Sequence, residues 1–187
     1  MSLIGFRPQN HPQQRINDEV DDRGTTAEDF AWFSTLGPFT LDVAAAPHNA
    51  KCLRYYTIRD NGLRQPWAHE RVWCNPPYSN IGDWVQKAWD EHARADGIAM
   101  LLPANRCEQV WWQRLVEPQR DQPDSPLSVT FLPGRMRFIR PGSNRVGPNE
   151  RPPFGCCLLT WDLGRLQPRP ALTLEFEISP GRAEADQ

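Results

Sequence analysis

The chain of 187 residues lacks most of the signatures by which binding sites are recognised. No Cys-x-x-Cys pair occurs, and the five cysteines (52, 74, 107, 156 and 157) are odd in number, two of them adjacent. That pattern excludes a disulfide framework and a zinc cluster, and predicts buried thiols of a reducing compartment. The four histidines (11, 48, 69 and 92) share no ligand spacing, so no metal is expected. The absence of Gly-x-Gly-x-x-Gly removes the usual phosphate-cradling loop. No apolar run approaches a membrane span, and the opening MSLIGFRPQN is too short for a secretory signal, so a soluble, cytoplasmic chain is expected. A net charge of −2 argues against a general nucleic-acid coat protein.

What the chain has in excess is proline, 19 residues, which predicts many irregular connections around an ordinary core of 39% hydrophobic content. Residues 1–24 are polar, with the acidic run NDEVDDRG, and read as disordered or loosely attached. One domain is expected over 25–179, followed by a frayed tail at 180–187. TTAEDFAWFSTL predicts a short helix stopped by Gly37-Pro38. Strands are expected at 39–45, 52–57, 69–74, 97–104, 127–132 and 154–163, with an alternating edge strand, LTLEFEI, at 172–178. Helices are expected from Ser79 to about Ala95 and over 107–116. Alternating strands and helices with an antiparallel finish define an α/β fold: an open, mostly parallel sheet wound on both faces, with an antiparallel strand near the C-terminus. In such sheets ligands bind at the carboxyl ends of the strands.

Two unusual stretches fall at such ends. In Asn75-Pro76-Pro77-Tyr78 the prolines resist helix and ladder alike, and Asn75 is pushed to an extended conformation. The Asn75 Oδ1 and the Pro76 carbonyl then make two neutral acceptors on a stiff loop, suited to the two hydrogens of an amino group. Accepting both draws the nitrogen towards a tetrahedral shape and localises its lone pair. Tyr78 can lie flat against a planar substrate, a contact of ~1–3 kcal/mol for a stacked base. The alternative is a proline-rich turn in which Asn75 caps a bond and Tyr78 fills a gap.

The second stretch, LDVAAAP, sets Asp42 before alanines that include Ala44 and Ala45. Small residues admit a ligand close to the backbone, and a carboxylate there accepts from ribose hydroxyls or an amine; equally, Asp42 could cap the next turn. Asp60 in Asp-Asn-Gly is a turn residue or a holder of an adenine or amine. Thr25 and Thr26 read as a helix N-cap or as ligand contacts. Arg106 contacts phosphate or is solvated. Between Pro133 and Pro153, Arg135, Arg137, Arg140, Arg145 and Arg151 face a single Glu150, a basic connection suited to touching a polyanion at one place.

FTLDVAAAPHNAKCLRYYT, DNGL, VWCNPPYSNIGDWVQKA, IAMLLPAN and FLPGRMRFI together resemble the small phage-type DNA N6-adenine methyltransferases (Dam-like) from about Thr25 to Leu163. The resemblance implies a class I (Rossmann-like) S-adenosylmethionine-dependent enzyme whose catalytic Asn75, Pro76, Pro77 and Tyr78 grip a flipped-out adenine. It implies donor contacts around Asp42, Ala44, Ala45, Asp60 and Asn75. Thr25-Thr26 stand where the family usually has Thr-Pro. Double-stranded DNA is the implied partner, held by Arg106, Arg135, Arg137, Arg140 and Arg145. A monomer or weak dimer, encoded by a phage or prophage and acting in the bacterial cytoplasm, is the corresponding setting. The same loop chemistry serves a protein glutamine amide or an RNA base amine, and an inactive DNA-binding module is the remaining alternative.

Overall fold

The computed structural model describes residues 24–139 and 152–169. The expected edge strand at 172–178, together with Arg140, Arg145 and Arg151, lies outside them.

Helix α1 (Ala27–Phe33) starts because Thr26, extended at φ −67° and ψ 157°, accepts the Asp29 N–H on Oγ1 at 3.0 Å. Glu28 and Asp29 add negative charge to its first turn. It passes into a single 3₁₀ turn, Ser34–Leu36, and stops at Gly37, whose φ of 124° disfavours a side chain. A Cβ there would also stand 2.4 Å from the Arg71 guanidinium, which donates to the Leu36 carbonyl at 2.9 Å.

The main sheet contains β2 (Leu41–Asp42), β3 (Arg54–Tyr55), β4 (Arg71–Cys74), β5 (Gly97–Pro103), β6 (Leu127–Phe131) and β8 (Cys156–Trp161), in the order β3-β2-β4-β5-β8-β6. The pairs β2–β3, β2–β4 and β4–β5 are parallel, while β8 runs antiparallel to both β5 and β6. This is the open, mostly parallel α/β sheet with a reversed strand near the C-terminus that the sequence predicts. A separate antiparallel pair joins β1 (Gly24–Thr25) to β7 (Phe138–Ile139), a contact with no sequence signal.

Successive strand residues enter opposite layers. Val72, Cys74, Ile98, Met100, Leu102, Cys157, Leu159 and Trp161 pack with Ile81, Trp84, Val85 and Ala88 of α2 (Ile81–Glu91) and Trp112 of α3 (Val110–Leu115). Trp73, Ala99, Leu101, Cys156 and Leu158 pack with Phe33 of α1, Phe138 of β7 and Leu166 on the other face. All seven residues of β5 are buried, as a doubly covered strand requires. Each fully buried large apolar side chain there contributes about 1.5–3 kcal/mol.

Several elements are shorter than their sequence patterns. β2 pairs over only two residues rather than 39–45, although Thr40 N–H and Val43 N–H still bond to the carbonyls of Arg71 and Trp73 at 2.8 and 3.0 Å. β3 likewise shrinks from 52–57 to Arg54–Tyr55. Helix α2 begins at Ile81 rather than Ser79 because a 3₁₀ turn, Tyr78–Asn80, carries the chain out of the two prolines.

Candidate functional site

The carboxyl ends of β2, β3, β4, β5 and β6 and the start of β8 share one edge of the sheet. After β2 the chain runs outward to β3, then crosses back to β4 on the other side of β2. The switch point between β2 and β4 is where an open α/β sheet leaves a crevice. Asp42 and Trp73 are paired there, and Asn75 follows two residues later.

Asp42 is 3% exposed. Its Oδ1 accepts the Ala44 N–H at 3.3 Å and its Oδ2 the Lys51 N–H at 2.9 Å, closing the 43–51 connection like a clasp. Burial pushes its pKa up from 3.8 to about 6, against the opposing pull of those N–H groups and the Lys51 charge. The Lys51 amine is in turn pushed down by burial. Ala44 is half-buried and Ala45 buried, its N–H bonded to the Tyr56 carbonyl at 3.0 Å.

Asp60 is exposed and turns inward on its own loop: its Oδ2 accepts both the N–H and the hydroxyl of Thr57, at 2.8 and 2.7 Å. Those bonds lower its pKa. The next residues bring this loop to the crevice. A Cβ on Gly62 would stand 2.1 Å from the Val43 carbonyl oxygen, so only glycine lets the backbone lie against the end of β2.

Thr25 is 1% exposed, and its Oγ1 has no hydrogen-bond partner among the described residues. Its neighbour Gly24 lies against Asn49, whose Cβ is 3.3 Å from where a Gly24 Cβ would be. β1 therefore leans on the loop that Asp42 closes. Thr26 is the cap of α1, as its sequence context allows.

Asn75, Pro77 and Tyr78 are half-buried and Pro76 is buried at the end of β4. Pro77 is extended at φ −59° and ψ 130°. The Tyr78 ring meets Phe154 edge-on, centroids 6.0 Å apart. Phe154 stands just before β8, so this contact ties the Asn-Pro-Pro-Tyr loop to the far end of the Arg-rich connection. The Ala104 N–H, bonded to the Gly155 carbonyl at 2.8 Å, extends the β5–β8 ladder to the same place.

Arg106 follows Ala104 at this edge, half-buried, its Nε buried without a hydrogen-bond partner among the described residues. Arg135 and Arg137 are exposed, alternating with buried Met136 and Phe138. Extended backbone with apolar residues inward holds both guanidiniums in solvent.

The structure thus gathers Thr25, Asp42, Ala44, Ala45, the Asp60 loop, Asn75–Tyr78 and Arg106 along one edge. Lys51, Gly62 and Phe154 belong to the same edge and were not anticipated. Lys51 lies in the NAKC stretch, but nothing local marks it as the partner of Asp42. The cysteines are all free, yet Cys107 is exposed and Cys52 half-buried, so the expectation of uniformly buried thiols holds only for Cys74, Cys156 and Cys157. Burial pushes the thiols of Cys52, Cys156 and Cys157 up to about 12, which leaves them poor nucleophiles. Among the described residues no group of three His, Cys, Asp or Glu could hold a metal ion. No described helix is long and apolar enough to cross a membrane.

Residues 13–162 match the family described as DNA N-6-adenine-methyltransferase (Dam). The DNA N-6-adenine-methyltransferase of Escherichia phage T1 is 39% identical over 70 residues, 37% of this chain and 29% of that one. This chain therefore spans less than a third of the phage relative's length. YfdM of Escherichia coli K12, which carries a methyltransferase name, is 37% identical over 85 residues, 41% of this chain and 90% of that one. Among solved structures, PH1948 from Pyrococcus horikoshii, named as a candidate RNA methyltransferase, aligns over 76% of this chain and 75% of its own. Its identity is 12% and its TM-score 0.39, too remote to favour one substrate over another.

Proposed function

The chain belongs to the DNA N-6-adenine-methyltransferase (Dam) family, and on that premise we propose that it transfers a methyl group from S-adenosylmethionine to the N6 amino group of adenine in double-stranded DNA. The observation that carries this reading is the placement of Asn75-Pro76-Pro77-Tyr78 at a strand end beside the β2–β4 switch point, with exposed Arg135 and Arg137 in the segment that follows β6, whose carboxyl end lies on the same edge.

S-adenosylmethionine fits the chemistry of that crevice. The buried Thr25 hydroxyl lacks a partner among the described residues, Asp42 offers a buried carboxylate to a cation, and Ala44 and Ala45 present little bulk. The exposed Asp60 carboxylate, held by Thr57 on Oδ2, is placed to accept from an amine. When bound, the donor supplies a methyl group on a positively charged sulfur.

The chain's own part is to make a poor nucleophile reactive. An adenine within a duplex hides its amine, so the base leaves the stack before it can react. Asn75 Oδ1 and the Pro76 carbonyl accept the two amine hydrogens, and Asn75 also borders the donor. Nitrogen hybridisation shifts, the lone pair localises, and the proton leaves only after the nitrogen has gained its new group. No strong base is needed. Pro76 and Pro77 hold this geometry in advance, which is the positioning share of the rate. Tyr78 lies against the base, its ring already steadied by Phe154. Arg106, Arg135 and Arg137 contact phosphates, and Arg140 and Arg145 extend the same basic run.

The test is incubation of the full chain with methyl-labelled donor and unmethylated duplex DNA. Label enters DNA on adenine, and Asn75→Ala lowers the rate at least ~10²-fold, the scale for losing one preorganised hydrogen-bonding group. Label in RNA or protein with DNA silent would redirect the reading to an RNA base amine or a glutamine amide. Absence of label from all three would sink it.

A further inference from the structure

Residues 164–169 cross behind α1 after β8, and their contacts lead to Thr26, the neighbour of the buried Thr25. Leu166 is 2% exposed and anchors this strap in the core. Trp32 Nε1 donates to the Gln167 carbonyl at 3.1 Å, and the Arg169 guanidinium lies over the Trp32 ring, 4.9 Å from its centroid. Arg169 then pairs with Glu28 at 3.3 Å and, through Nη2, with Asp29 Oδ1. The other Asp29 oxygen accepts the Thr26 hydroxyl at 2.8 Å, while that hydroxyl accepts the Asp29 N–H at 3.0 Å. Thr26 follows Thr25 directly.

We propose that Arg169 is a positioning residue for methyl-donor binding, acting through Asp29 and Thr26 to hold the Thr25 hydroxyl towards the crevice. The inference rests on the reading of Thr25 as a donor contact. Its physical basis is that Thr25 is carried by two short elements whose placement tertiary contacts must set. The β1–β7 ladder is two residues long, and isolated two-stranded pairs are marginal. Helix α1 has seven residues, too few to be stable without tertiary contacts. Phe33 fixes the far end of α1 in the core, and Arg169 ties its first turn to the strap: it satisfies an Asp29 oxygen, fixes the carboxylate plane, and so fixes the Thr26 side chain. Partly exposed ion pairs contribute little to global stability, so removing Arg169 leaves the fold in place.

The experiment measures donor KM and kcat with saturating unmethylated DNA for the full chain and for Arg169→Ala, Arg169→Lys, Thr25→Val and the Arg169→Ala/Thr25→Val double variant. Arg165→Ala serves as control, since Arg165 pairs with Asp121 in the same strap, not with α1. Arg169→Ala raises donor KM about tenfold, in the range for loss of a supporting hydrogen-bond partner, while kcat changes less than about twofold. Arg169→Lys recovers most of the loss, and Arg165→Ala leaves donor KM unchanged. In the double variant Arg169→Ala adds less than about twofold to the effect of Thr25→Val, because both act on one contact. An unchanged donor KM in Arg169→Ala overturns the proposal even if thermal stability falls. If Thr25→Val raises donor KM at the same time, the threonine reading survives and only the strap's role is lost. If Thr25→Val has no effect, or the two changes simply add, the route through Thr25 is wrong.

Discussion

Asp42 carries its charge against the resistance of its surroundings. Its pKa, lifted by burial from 3.8 to about 6, means that the folded chain holds a proton there which the unfolded chain has already released. Between about pH 4 and pH 6 the folded state binds more protons, so this group's contribution to stability falls as pH rises and levels off above pH 6. A carboxyl lifted that far costs the folded state about 3 kcal/mol at neutral pH. Asp42→Asn removes that cost but surrenders an acceptor for one of the two N–H groups it clasps. In urea melts at a series of pH values, the stability difference between wild type and Asp42→Asn should change by up to about 3 kcal/mol from pH 4 to pH 7. A difference independent of pH would show that water reaches the carboxylate.

At the scale of elements, the crevice depends on loops lying close to strand ends. Gly62 touches the Val43 carbonyl so closely that any Cβ must push the Asp60 loop outward. Gly62→Ala should cost about 1–3 kcal/mol by denaturant unfolding, the usual range for overpacking, and should weaken donor binding by the displacement. An unperturbed melt would mean that the loop yields freely. The Tyr78–Phe154 contact works between elements in the same way. Phe154→Ala should reduce turnover on DNA more than donor affinity, since the ring it supports is the one we propose to lie against the base. A loss of donor affinity alone would place that ring elsewhere in the reaction.

Over the whole molecule, a net charge of −2 coexists with exposed Arg135 and Arg137 on one edge. On the proposed reading, a body of mild negative charge repels DNA except where these arginines face it, which makes binding both local and salt-dependent. Replacing both with Gln should lower the slope of log affinity against log salt by up to about 1.8, each phosphate contact contributing about 0.9. Anisotropy titrations with duplex DNA between about 50 and 200 mM salt measure it. An unchanged slope would move the DNA grip to another face.

What was legible in the sequence is what short-range pattern controls. The continuous apolar run of β5, the Thr26 cap, the stop at Gly37 and the rigidity of Asn75-Pro76-Pro77-Tyr78 each follow from residues within a turn or a strand of one another. The fold class followed too, because alternating strand and helix periods leave few ways to cover a sheet. Tertiary structure alone decided which side chains close on which. That Asp60 bends back to Thr57, that Lys51 answers Asp42, that Phe154 meets Tyr78 and that Arg169 reaches α1 depend on the path of the chain through space. A hydrogen bond or ring contact between distant segments leaves no periodicity behind, and two-residue ladders such as β1–β7 are too short to show any.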